Sequence, residues 1–441
     1  MGDRWCWSRM LSWLSQAVRV GAQCELKTIR AGVEFAAERQ CAVDDADGDL
    51  LEGSVLVLVE PGVYEEQRVR VVDGQRVSIW RCDREGESNK EEMQKVEWQS
   101  IDAGTLSVYG HASVSVSGMH MAAMKSKSGY DSVGCGFNCV CASAGGTLSL
   151  ELCDLTCEDA AIAGFVGITS SAVVVRCRIH NGNEGGVLIC GGASATLENN
   201  TIFSNTLAGV QVRDEGSEGF LYCNRIFDGK EAGVFICEGA HASMNKNIIH
   251  SNGLSNVYVS GEGTRAIIRA NIVHDGKERG VVIQCQANAV LDRNIIHSNT
   301  LAGIFVRDAG SEAVISGNYL HHSKTYGTII LGNAKATIED NITTDNDCAG
   351  ISIDHSTAIL NGNTIKDNGR CKIVRAEEEL AVWHPTRAAV YRSPDGFPGV
   401  RVVNLSSITM PPYSNAIDGN GKVGSWEQAV TIDEASYRYC A

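Results

Sequence analysis

The sequence predicts an all-β fold: a right-handed parallel β-helix with an N-terminal helical cap and an irregular C-terminal tail. Three observations predict it. Eight asparagines, Asn200, Asn224, Asn247, Asn271, Asn294, Asn318, Asn341 and Asn363, follow one another at intervals of 24, 23, 24, 23, 24, 23 and 22 residues. Apolar columns keep the same beat, with Leu197, Leu221, Met244, Ile268, Leu291, Ile315, Ile338 and Leu360 three residues before each asparagine. Between these columns, segments such as Val187-Leu188-Ile189-Cys190 alternate in the period-two manner of a strand. A unit of this length cannot close a core alone and must stack on its neighbours.

Residues 1–53 are expected to form the helical cap. Trp7, Leu11, Leu14 and Val18 share one helical face, and Thr28–Arg39 reads as a further helix. Ser54–Glu60, followed by Pro61-Gly62-Val63-Tyr64, reads as an early strand and turn. The β-helix is expected over 54–369, with loop insertions near 83–97 and 125–145. Long loops on a rigid scaffold are where binding concentrates. The periodicity stops after Gly369, and 370–441 is expected to cap the last rung.

The asparagines form a predicted ladder at an inner corner. Each amide donates to the carbonyl of the next rung's amide, about 4.8 Å along the axis. A second column, three residues after the asparagines, reads His180, Phe203, Phe227, His250, His274, His297, His321, Thr344 and Lys366. Phenylalanine takes the same slot as histidine twice, so the column reads as stacked rings and not as metal ligands. Five residues past each asparagine stand Asn205, Asn252, Asn299, Asn346 and Asn368, with Gly229 and Gly276 between them, which suggests a left-handed corner. Ser-Asn-Thr-Leu-Ala-Gly occurs at 204–209 and 298–303, and Asp-Gly-Lys-Glu at 228–231 and 275–278, the mark of a duplicated two-rung unit.

Composition narrows the function classes. Net charge is −15 and the acids cluster in Asp44–Glu52, Asp83–Glu97 and Glu377–Glu379, which argues against a nucleic-acid partner. Nothing approaches the 18 apolar residues of a membrane span. Seventeen cysteines, several in small or apolar slots of the repeat, read as buried free thiols. Cys153 and Cys177 fall on the asparagine column itself. This usage suits a reducing, intracellular and cytoplasmic setting. Cys135, Cys139 and Cys141 lack a partner pair at zinc-finger spacing, so no metal and no cofactor are expected.

The runs Ser204–Val212 and Asn271–Lys277, and Gly-Val-Phe-Ile after Asp228-Gly-Lys-Glu, resemble the parallel β-helix repeats of the β-helical F-box-only ubiquitin-ligase adaptor. That family is often grouped with carbohydrate-binding and sugar-hydrolase β-helices. Val59–Glu66 is similar to the lead-in strand of those domains. The resemblance implies a right-handed helix that recognises a protein, or alternatively a glycan, without chemistry of its own. No F-box pattern precedes residue 28, and no Cys/His-rich module follows residue 370.

Three readings of function follow. In the first, the chain is a non-catalytic recognition or scaffold β-helix. Its partner-binding stripe is an outward column containing Leu188, Phe235, Tyr258, Val282, Phe305 and Ile329, edged by Arg213 and Arg307. The alternatives are a carbohydrate-active enzyme (polysaccharide lyase, hydrolase or epimerase) and a structural subunit of a larger assembly. Its candidate catalytic residues are Asp214 and Glu238, at equivalent positions one rung apart, with Arg213 beside them. The sequence favours the first reading, with a protein partner.

Overall fold

The computed structural model describes residues 17–40, 54–72, 74–82, 95–100, 104–124, 138–158 and 162–369, with strand segments at 400–403, 407–409, 415–418, 430–432 and 439–440. It is an all-β parallel solenoid with almost no helix. Each turn contributes one strand to each of three sheets, here called A, B and C. The chain divides into two compact units, 1–211 with 216–219, and 212–215 with 220–441.

In the first unit, sheet A carries Val55–Val59, Arg76–Arg81, Ser113–Ser117, Thr147–Glu151, Ser171–Val175 and Ser194–Glu198. Sheet B carries Gly62–Glu66, Val96–Ser100, His120–Ala123, Asp154–Cys157, Arg178–His180 and Thr201–Phe203. Pairing is parallel and in register, so that Leu148, Ala172 and Ala195 stack on successive rungs and point inward. The helix Ile29–Gln40 buries Ile29, Val33, Ala36 and Ala37. Glu66 holds its N-terminus, accepting from the backbone N–H of Ile29 at 2.6 Å and of Arg30 at 2.8 Å. The expected cap is only partly helical, because Val18–Val20 pairs as a strand with Val57–Val59. The face of Trp7, Leu11 and Leu14 lies outside the described residues, as do most of the two loop insertions.

The second unit repeats the plan. Ile249, Val273, Ile296 and Leu320 fill one inward column of sheet B, and Val259, Ile283, Val306 and Ile330 one of sheet C. At the tight corner before sheet C, a Cβ on Gly280 would come within 2.5 Å of the Gly303 carbonyl oxygen. Only glycine allows that approach.

The asparagine ladder forms as the spacing predicts. From Asn224 to Asn341, each Nδ2 donates to Oδ1 of the next rung's asparagine at 2.9–3.1 Å. The same Oδ1 accepts a backbone N–H, as when Asn294 takes the N–H of Asn271 at 2.9 Å. The ladder runs one step further than the periodicity shows, because Asn363 donates to Asn415 Oδ1 at 2.9 Å. Strands Val400–Val403, Ser407–Thr409 and Ala416–Asp418 add to sheets C, A and B beyond 369. The gap of 52 residues from Asn363 to Asn415 hides this rung in the sequence.

The left-handed corner is displaced from its expected place. Positive φ falls four residues after the asparagines, at Ser251 (58°), Asp275 (53°), Ser298 (55°) and Asp345 (55°). Asn252, Asn299, Asn346 and Asn368 are instead buried acceptors for backbone N–H groups, as in Gly276 to Asn299 Oδ1 at 3.0 Å and Asn346 to Asn368 Oδ1 at 3.1 Å. They keep corner backbone amides paired inside the core, and Asn346 Nδ2 also donates to Asn368 Oδ1 at 2.8 Å.

Candidate functional site

Asp214 and Glu238 sit at a bend and not on a sheet face. Their φ values are 71° and 57°, and the positions equivalent to Glu238 on later rungs are Gly261 (106°), Cys285 (52°), Asp308 (74°), Gly332 (70°) and His355 (46°). A left-handed bend accounts for the column, since Gly, Asp and Asn tolerate it best. Glu238 is exposed and Asp214 and Arg213 are half-buried, with Arg213 Nε buried and lacking a hydrogen-bond partner.

The expected binding stripe has the right register but the wrong exposure. Phe235, Tyr258, Val282, Phe305 and Ile329 stack in order on sheet C. Val282, Phe305 and Ile329 are only 2%, 4% and 6% exposed, and pack with Ala302, Tyr258, Tyr326 and Leu331. Arg279 lies over the Phe305 ring at 4.2 Å, and Arg307 is itself buried beside Asp308. Leu188, Phe235 and Tyr258 are half-buried. The stripe is therefore largely a satellite core. Sequence patterning places it on the outer face but cannot see what packs across that face.

The histidine column is a ring stack. His250, His274, His297 and His321 lie 4.8–4.9 Å apart, with interplanar angles of 2–10°. Their Nδ1 atoms are taken up locally, by Ser251 at 3.0 Å, Asp275 at 2.7 Å, Ser298 at 3.0 Å and His322 at 2.7 Å. Burial, followed by neighbouring imidazoles, pulls His250 and His297 below the ordinary histidine value and His321 down to about 4. A base depressed in the folded state contributes full stability above its unfolded value and loses it as pH falls toward the folded one. Acidification from pH 7 to pH 5 is thus expected to lower the melting temperature by several degrees. These rings are half-buried, so after solvent screening the loss is on the order of 1 kcal/mol. His321→Phe, borrowing the residue found at 203 and 227, should flatten that dependence. Equal slopes for both proteins in thermal melts would disprove it.

A third constellation escaped the sequence reading. On sheet B of the first unit, Glu97, His120, Asp154 and Arg178 occupy one outward column on four successive rungs. Asp154 is the hub. Its Oδ1 accepts from His180 Nε2 at 2.7 Å, Oδ2 lies 3.4 Å from His120 Nδ1, and the Arg178 guanidinium is 3.6 Å away. The His120 contact has the distance of an ion pair but not the alignment of a hydrogen bond, which leaves Nδ1 buried without a hydrogen-bond partner. His120 first, then His180 and Arg178, hold the Asp154 carboxyl well below the usual carboxylate range.

The two imidazoles are not equivalent. His180 Nδ1 receives the Asn181 side-chain N–H at 3.0 Å, so its Nε2 carries the proton given to Asp154. Its ring is also stacked on Phe203 at 4.7 Å. Both nitrogens of His180 are used. His120 turns Nδ1 toward Asp154 Oδ2 at 3.4 Å but makes no hydrogen bond with it. Both histidine side chains keep some contact with solvent, 24% for His120 and 14% for His180. The chemical content is an oriented imidazole backed by a carboxylate, with a guanidinium at its side.

The signal was present but displaced. Asp154 and Arg178 each follow a cysteine of the asparagine column, and His120 follows Met119 on that same column. From residue 119 to 153 the interval is 34 residues and not 24, because the segment from Lys125 intervenes. That breaks the alignment of His120 with its neighbours.

Comparison with known proteins assigns the repeat. The model of the right-handed β-helix region matches residues 130–271 and 255–381, more than half of the chain. The chain belongs to the right-handed β-helix family. Among solved structures, this β-helix is similar to the mannuronan C-5 epimerase AlgE6 A-module of Azotobacter vinelandii, with 14% identity, TM-score 0.51, and 87% of this chain and 96% of that one covered. It also matches the AlgE4 A-module of the same organism, with 13% identity, TM-score 0.43 and coverage of 93% and 95%. A third match is the catalytic unit of a GH87 α-1,3-glucanase from Streptomyces thermodiastaticus, with 11% identity, TM-score 0.48 and coverage of 86% and 66%. No curated protein matches significantly by sequence. The likeness to the mannuronan C-5 epimerase A-module corrects the expectation of a non-catalytic recognition module related to F-box adaptors, and no comparison supports a ubiquitin-ligase role. No helix among the described residues is long and apolar enough to cross a membrane.

Proposed function

We propose that this β-helix is a carbohydrate-active enzyme that removes a proton from a uronate-containing polysaccharide, in the manner of an epimerase or a lyase. The observation that carries the reading is the Asp154 hub, which gathers His120, His180 and Arg178 around one carboxylate while both nitrogens of His180 are hydrogen-bonded. His120 is the general base, Asp154 orients it and balances the imidazolium, and His180 is a positioning residue. Arg178, whose side chain is 58% exposed, is placed to neutralise the substrate carboxylate as the adjacent C–H is broken.

Hydrolysis fits less well. A glycosidase needs a carboxylic acid with a raised pKa to protonate the leaving oxygen, and Asp154 is shifted in the opposite direction. The fold shared with the mannuronan C-5 epimerase A-module supports the choice of uronate polymers as first substrates.

The test is to incubate the full chain with poly-mannuronate and polygalacturonate. NMR follows inversion at C5, and ultraviolet absorbance follows unsaturated ends. His120→Gln is expected to lower turnover by a factor of about 10²–10⁴, the usual contribution of a positioned acid or base, with an unchanged circular dichroism spectrum. A wild-type chain that cleaves neutral glucan and leaves every uronate polymer untouched would refute the reading, as would full activity in His120→Gln.

A further inference from the structure

Two buried thiols stand directly behind this site. Cys153 and Cys177 occupy the ladder column on successive rungs, where later rungs carry asparagine. Each is nearly solvent-free, at 2% and 1% exposure. Cys177 Sγ accepts the backbone N–H of Cys153 at 3.4 Å, as Asn200 Oδ1 accepts that of Cys177 at 2.8 Å. The thiols point the same way along the column. The sulfurs give their own protons to carbonyl oxygens of Glu151 and Val175, both at 3.3 Å. Each thiol is the first influence on the other's ionisation, drawing Cys153 down and pushing Cys177 up.

The next residues, Asp154 and Arg178, are paired Cα partners in sheet B. The Cα atoms one position earlier are therefore about 4.8 Å apart, the spacing of neighbouring strands, which lies inside the window of roughly 4.4–6.8 Å that a disulfide spans. We propose that Cys153 and Cys177 form a reversible, peroxide-driven disulfide that regulates the His120–Asp154 centre.

The chemistry balances in two steps. The Cys153 sulfur attacks the O–O bond of hydrogen peroxide, forming a sulfenic acid and releasing one water. The Cys177 thiol then attacks that sulfur, forming the S–S bond and releasing the second water. Two thiols lose two electrons and two protons, and one peroxide is reduced to two waters. Leu152, immediately before Cys153, is exposed in a left-handed bend with φ 55°, so the pair lies one residue from solvent. The crosslink removes both S–H donors and the sulfur acceptor of the Cys153 amide. It also draws together two corners that lead straight into Asp154 and Arg178. The contacts of 3.4 Å to His120 and 3.6 Å to Arg178 are marginal already, so a small displacement disconnects them. The crosslink itself stands on the thiol geometry. Only its effect on activity rests on the proton-abstraction reading.

The experiment treats the full chain with hydrogen peroxide and maps disulfides by mass spectrometry of peptides, with and without dithiothreitol. A linked pair of peptides carrying Cys153 and Cys177 is expected, absent in Cys177→Ser. Uronate turnover is expected to fall several-fold on oxidation and to return on reduction, while Cys177→Ser keeps its turnover under peroxide. Histidine NMR signals provide a readout that does not depend on turnover, and those of His120 and His180 should move with the crosslink. Absence of the linked peptide, or linkage only through other cysteines, overturns the disulfide. A linked peptide with unmoved histidine signals overturns the regulation. Linked peptide and moved signals in a chain without uronate turnover would retain the switch and dismiss the proposed reaction.

Discussion

Asn271→Ala is expected to destabilise the second unit by about 2–6 kcal/mol, the cost of leaving two or more buried polar groups unpaired at roughly 1–3 kcal/mol each. Asn271 Nδ2 donates to Met244 O at 3.0 Å, Arg269 O at 3.0 Å and Asn294 Oδ1 at 3.1 Å. Its Oδ1 accepts both the backbone N–H and Nδ2 of Asn247 at 2.9 Å. Alanine orphans those two donors of Asn247 in a place only 0–1% exposed, where water cannot replace the amide. Aspartate is no remedy, because a carboxylate would face the Asn294 Oδ1 acceptor and bring a buried charge without a cation. On the same unit, Ile267 is 50% exposed on sheet A, and Ile267→Ser is expected to change stability by less than about 0.5 kcal/mol. Urea denaturation of the three proteins decides the matter. A loss below about 1 kcal/mol for Asn271→Ala would mean that the ladder follows the fold and does not hold it.

That same ladder shows why the fold was legible and the site was not. An asparagine that must meet its copy on the next rung appears at a fixed interval, and the interval alone gives the strand registers. The ring stack from His250 to His321 was legible for the same reason. Regularity failed as a guide wherever the structure departs from it. Asn415 is a ladder member that its long preceding interval conceals. The corner at Ser251 and Asp275 was misplaced by one residue, because Asn252 and Asn299 look like turn residues but act as buried acceptors. The sheet-C stripe misled in the other direction. Alternation shows that Phe305 faces away from the central core, yet a local cluster buries it. The exposed apolar side chains of the unit include Ile248, Ile295, Tyr319 and Ile342 on sheet B. Asp214 and Glu238 attracted attention as acids at matching positions, but matching positions in a solenoid are the rule, and a bend selects Asp for its backbone. His120, Asp154 and Arg178 carry no motif. They meet because the rungs bring positions 34 and 24 residues apart into one column.

Asp154→Asn is expected to separate positioning from folding. The carboxamide keeps one oxygen for His180 Nε2, but it turns an N–H₂ group toward His120 Nδ1 and the Arg178 guanidinium, where the wild type presents a second anionic oxygen. The base then loses its orienting acceptor and the imidazolium its counter-charge, while the packing volume is unchanged. Turnover on the uronate polymer should fall by about 10²–10⁴-fold, with KM altered far less than kcat, since the substrate does not bind through Asp154. Stability responds on a different axis. A carboxylate held below its usual pKa adds stability above the unfolded value of 3.8 and surrenders it as pH falls through the lower folded value. The wild type should therefore melt above the variant at pH 7, and the difference should shrink as the pH is taken below about 4. Kinetics at neutral pH and melts from pH 7 to pH 3 provide the check. If kcat is preserved while the melting difference behaves as described, Asp154 is a structural hub and His120 is not its base. If kcat collapses although both proteins are fully folded at the assay temperature, the carboxylate acts through the imidazole, and the column of Glu97, His120, Asp154 and Arg178 is the working face of this β-helix.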